Sequence, residues 1–118
     1  MGYRLTRRAE DQADQILLEG ADEWGVEAAA RYNRLVLAVW AALGADPDLR
    51  GSRPVPRVRG VRAYPLRLAR RLAAAPGERV GRPRHIVLYR VAEDGGVEIL
   101  GMAHDRMLLS REARRLVK

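Results

Sequence analysis

The chain has 118 residues, with 22 Lys+Arg against 15 Asp+Glu and a net charge of +7. That length fits one domain, residues 1–118, large enough to bury a core without staples and short for a two-domain enzyme. At 47% hydrophobic residues it is no disordered basic tail, and the absence of cysteine excludes disulfides, thiolate metal sites and cysteine nucleophiles. The longest apolar run, Leu35 to Ala45, falls short of the ~20 residues a membrane helix needs. Charged residues Arg4, Arg7, Arg8, Glu10 and Asp11 interrupt any leader-like start, so a soluble, cytoplasmic protein is expected.

The charge is unevenly placed. Residues 1–48 carry a net charge of −4, residues 49–90 carry +11, and residues 91–118 are neutral. The central stretch holds 12 arginines and a single acid, Glu78. Such a stretch attracts phosphates or an acidic protein partner. Arginine also favours planar, two-pronged contacts with carboxylate and phosphate.

In chain order, Tyr3-Arg4-Leu5 reads as a short strand. Thr6 can cap a helix over Arg7–Trp24, whose stripe is Ala9, Ala13, Ile16, Leu17, Ala21 and Trp24. Gly25 breaks it, and a second helix follows from Val26 to about Leu43, with Val26, Ala29, Tyr32, Leu35, Val36, Val39, Trp40 and Leu43 inward. Gly44 and Pro47 should end that helix, and the pair should form an antiparallel hairpin. Asp46 to Gly60 reads as loop. Val61–Leu68 reads as a strand with Pro65 at an edge or bulge, and Arg70–Pro83 as a second loop with a helical turn at Leu72–Ala75. His85–Val91 is the clearest strand. It turns through Ala92-Glu93-Asp94-Gly95-Gly96 into a partner strand, Val97–Ala103. Ser110 can cap a last helix, Arg111–Val117. The expected class is α+β: an N-terminal helical hairpin packed on one face of a small antiparallel sheet, with a short C-terminal helix.

The ordered set Tyr3-Arg4-Leu5-Thr6, Trp24-Gly25, Ala30-Arg31-Tyr32, Arg84–Val91, Val97-Glu98-Ile99-Leu100 and His104-Asp105-Arg106-Met107 resembles the ParE branch of the RelE/ParE toxins. These are toxin halves of bacterial type II toxin–antitoxin modules, and the likeness covers nearly the whole chain. It implies a ParD-like antitoxin whose C-terminal segment wraps the toxin in a hetero-oligomer. It also implies inhibition of DNA gyrase as the activity, where the RelE branch cuts mRNA on the ribosome. Gly101-Met102-Ala103, before the histidine, and the long Arg70–Pro83 loop depart from the family pattern.

Cutting RNA without a metal needs a base, a cation at the phosphate and an acid. The only lysine is Lys118, and the only histidines are His85 and His104. The candidates for such chemistry are therefore few: His104, Arg106 and Arg90, with Arg84 nearby. His85 reads as a packed or edge histidine. No cofactor is expected, and the two histidines do not make metal-ligand spacing. The reading is a binding inhibitor, with a RelE-like mRNA interferase as the enzyme alternative and an interaction-only toxin as a third. Expected antitoxin contacts are Arg57, Arg59, Arg62, Arg67 and Tyr64, where the arginines meet acids on the partner. Expected target contacts are Arg84, Arg90, His104 and Arg106, and direct nucleic-acid binding is a secondary expectation. The aromatics should pack in the core, with Tyr64 the one placed to stack beside arginines.

Overall fold

The computed structural model describes residues 2–69, 80 and 83–117. Its elements are β1 (Tyr3–Leu5), α1 (Arg7–Trp24), α2 (Val26–Ala45), β2 (Arg53–Pro54), β3 (Arg62–Pro65), a 3-10 turn at Leu66–Ala69, β4 (His85–Val91), β5 (Val97–His104) and α3 (Leu109–Val117). The expected helical turn at Leu72–Ala75 lies outside the described residues.

Thr6 caps α1 as its position predicts, its hydroxyl accepting the Ala9 N–H at 3.1 Å and donating to the Leu100 carbonyl at 3.2 Å. Gly25, at φ 93°, joins the helices, and Gly20 packs on Ala29 across the hairpin. Two stripe positions do not go inside: Trp24 is 71% exposed and Val26 75%. The apolar period runs on to the joint, where no described helix or strand packs over these two side chains. Gly44 does not end α2 either; it is buried inside the helix. A Cβ there would stand 2.9 Å from the Gly2 carbonyl carbon, so this glycine lets β1 approach the helix backbone.

The five strands run β1-β5-β4-β3-β2. Neighbours among β2, β3, β4 and β5 are antiparallel, but β1 runs parallel to β5, which makes the sheet mixed. A tight turn dictates the pairing of consecutive strands only, and β1 reaches the sheet through most of the chain. β2 is a short strand within the stretch read as loop. β3 stops at Pro65, whose ring sits where β2 no longer pairs and no ladder donor is missed.

Both faces of the sheet are covered, where one was expected. Leu35, Val39, Leu43, Val87, Tyr89, Val97 and Ile99 pack between the hairpin and the sheet. Val55, Val61, Ala63, Leu88, Leu100, Ala113 and Leu116 fill a second core under α3 and the segment 55–61. Each fully buried valine, leucine or isoleucine among them contributes about 1.5–3 kcal/mol. α3 begins two residues earlier than Ser110 predicts. The Leu108 carbonyl accepts the Glu112 N–H and opens its first turn.

Candidate functional site

Strand parity decides what faces the hairpin. On β4 the alternation from Tyr89 and Val87 places His85 on the hairpin side. On β5, Val97 and Ile99 share that side, and continued alternation would turn His104 away. The register jumps between Leu88 and Tyr89: Leu88 pairs with Gly101 and Tyr89 with Ile99, which leaves Leu100 as an extra residue. Leu100 goes into the second core, and Met102 returns to the first. This bulge brings His104 to the hairpin side, directly opposite His85. The two rings meet edge to face with centroids 5.5 Å apart.

They line a cleft of about 430 Å³ at the hairpin end of the sheet. Ile16, Ala28, Ala29 and Val80 supply apolar wall, Trp24 a ring at its side, and Tyr32, Glu19, Glu23, Arg31 and Arg84 the polar groups. Tyr32 sits 2.6 Å from His85 Nδ1 through its hydroxyl. Burial pushes the Tyr32 hydroxyl up to about 12. Burial also lowers His85 to about 4, helped by the neighbouring His104 ring. Both groups are therefore uncharged at neutral pH; the tyrosine donates, Nδ1 accepts, and the His85 proton sits on Nε2. His104 Nδ1 accepts the Arg106 N–H at 3.2 Å. Asp105 Oδ1 lies 3.0 Å from the same nitrogen, but only the amide meets hydrogen-bond geometry. Asp105 also pairs with Arg84 at 3.5 Å, and its N–H donates to the Arg84 carbonyl at 2.7 Å.

The cleft thus offers hydrogen-bond donors, two carboxylates and apolar wall. Tyr32 and His85 titrate far to either side of pH 7, so that pair does not exchange protons there. Among the described residues no group of three histidine or acidic side chains could hold a metal ion.

Of the expected target contacts, the structure brings Arg84 and His104 together in the cleft, with Arg106 exposed beside them. Arg90 is elsewhere. It lies near the far end of the β4–β5 hairpin, paired with Glu98 at 2.6 Å. Of the expected antitoxin contacts, Arg57, Arg59 and Arg67 are exposed. Arg62 is half-buried and donates to Ser52 Oγ at 3.0 Å and to the Tyr89 hydroxyl. Tyr64 is only 3% exposed and packs in the first core, so its ring is not available for stacking. His85, Tyr32 and Trp24 are site residues that the sequence reading assigned to packing. Parity with Val87 and Tyr89 was the available signal for His85; Tyr32 was marked only as part of the Ala30-Arg31-Tyr32 run, which carries the resemblance but no role.

A helical hairpin and a terminal helix sandwiching a five-stranded sheet define a small α+β class. The family model for the ParE toxin of type II toxin–antitoxin systems matches residues 3–109. The chain belongs to that family. Among solved structures, the chromosomal ParDE system from P. aeruginosa is similar in fold, with a TM-score of 0.61 at 19% identity over 88% of this chain and 95% of that one. No curated protein matches the chain.

Proposed function

We propose that this ParE-family toxin inhibits DNA gyrase by binding and that a ParD-like antitoxin silences it. The observation that carries the binding reading is the charge state of the cleft. Tyr32 and His85 hydrogen-bond to each other and are both uncharged near pH 7, so neither is poised to act as acid or base beside His104. In this reading Arg84, His104 and Arg106 meet the target. An acidic antitoxin segment lies along Arg57, Arg59 and Arg67. Arg62 holds that surface in shape.

The close approach of His85 and His104 favours one second reading, a RelE-like mRNA interferase using His104. Purified toxin added to gyrase supercoiling reactions and to a translating extract separates the two. Loss of supercoiling or accumulation of cleaved DNA, retained in Tyr32→Phe, supports gyrase binding. Codon-phased mRNA cuts abolished by His104→Ala, with supercoiling untouched, would replace it with the interferase.

A further inference from the structure

The central arginines gather along the free edge of the sheet. β2 is the outermost strand, and it contributes only Arg53 and Pro54 to the ladder. Arg50 precedes it, Arg57 and Arg59 follow it, and Arg67 leaves β3 beside Leu68, whose side chain stands near Gly51. All five of these arginines are exposed. None of them forms an ion pair among the described residues, since the nearby Asp48 pairs with Arg62.

The edge is a fixed frame. The Val55 N–H donates to the Val61 carbonyl at 2.9 Å and closes the loop between β2 and β3. Val55 and Val61 anchor it in the second core at 3% and 2% exposure. Within it Arg57 adopts φ 66°, a left-handed conformation that a non-glycine residue holds only when its surroundings impose it. On the inner side the Tyr89 hydroxyl donates to the Pro47 carbonyl at 2.6 Å and fastens the turn before β2.

An acidic protein segment on this edge would be held by charge, its apolar anchors lying elsewhere on the molecule. Of the large apolar side chains from Leu49 to Ala69, Leu68 alone is exposed. A row of unpaired guanidiniums without such anchors fits a uniform polyanion. The cleft does not, because Glu19 and Glu23 line it. With Tyr64 buried, no ring is offered for stacking on unpaired bases.

We propose that this edge binds the phosphate backbone of duplex DNA without reading its sequence. The site is separate from the cleft and independent of the gyrase reading. An antitoxin segment lying on the same arginines would exclude DNA from them.

The test is fluorescence anisotropy of a labelled 20-base-pair duplex titrated with the full toxin, free of gyrase and antitoxin, at several salt concentrations. Five phosphate contacts predict a slope of log affinity against log salt near −4.5, at about −0.9 per contact. Arg53→Gln, Arg57→Gln and Arg59→Gln together should cut that slope to roughly −2 and weaken binding at least about tenfold at low salt. Removing the same charge elsewhere, with Arg7→Gln, Arg111→Gln and Arg114→Gln, should leave affinity within about threefold. Equal losses from the two triples would overturn the proposal, since net charge alone would then explain binding. Poly-L-glutamate binding as tightly as the duplex at equal charge would overturn it in favour of an acidic protein. If the edge triple melts early, Arg59→Glu alone, outside any ladder, reads the same contact.

Discussion

A hydroxyl that donates to an imidazole nitrogen at 2.6 Å leaves that nitrogen no place for its own proton. Burial lowers His85 to about 4 from an unfolded value of 6.5, helped by the His104 ring, and Tyr32 donates to the Nδ1 of the neutral ring that results. Between those values the unfolded chain takes up a proton that the folded chain refuses. Acid therefore favours unfolding across that window, and above pH 6.5 the contribution is fully present. Urea unfolding of the wild type should lose up to about 2 kcal/mol from this group between pH 7 and pH 4, allowing for its partial exposure. His85→Gln should show a flatter pH dependence over the same range. Tyr32→Phe should raise the His85 midpoint, readable by NMR titration of the ring. This pair was only half legible in the sequence. Tyr32 sits on the inner stripe of its helix, and His85 opens an obvious strand, but no local pattern says that the two meet. Trp24 shows the opposite failure, a large ring on the right stripe that ends exposed. Trp24→Ala should change stability by less than about 0.5 kcal/mol, whereas truncating the buried Trp40 to Ala should cost about 3–5 kcal/mol.

Elements here are positioned by small irregularities more than by their regular spans. The hairpin, the β4 and β5 strands and the turn between them follow from apolar spacing and from Asp-Gly-Gly, with Gly95 at φ 85°. The bulge at Leu100 does not. An extra residue in a strand leaves no mark in composition except the neighbouring Gly101. Yet the bulge decides which face His104 occupies, so half of the cleft depends on it. Gly101 is also crowded: a Cβ there would meet Gln12 Oε1 and Leu116, and Gln12 accepts the Met102 N–H at 2.8 Å. Gly44 is a cleaner case for measurement. Alanine would gain about 1 kcal/mol of helix propensity, but its methyl meets the Gly2 backbone at 2.9 Å, which cannot swing aside as a side chain would. Gly44→Ala should therefore destabilise by about 1–3 kcal/mol in chemical denaturation. A glycine inside a helical run reads from sequence as a stop; that it marks a close backbone approach becomes visible only once β1 is placed.

At the scale of the molecule, the +7 resolves into an acidic hairpin on one side and an arginine-bearing sheet edge on the other. The segment 49–90 was legible as a charged surface from counting alone. Which of its arginines stay free was not, because Arg62 and Arg90 are tied down by partners distant in sequence or across a strand pair. The parallel pairing of β1 with β5 carries a further consequence. Tyr3 lies opposite Val97, 94 positions later. β1 thus waits for partners made 94 positions later. Contacts so distant form late and slowly. A chain stalled before β5 emerges has its hairpin but no edge strand to receive β1. It also lacks Val97, Ile99 and Met102 from the first core. Chains truncated before Val97 should stay protease-sensitive, and chains that include β5 should become resistant. Translation of the residues between β1 and β5 then sets a delay between making the first strand and closing the sheet on it.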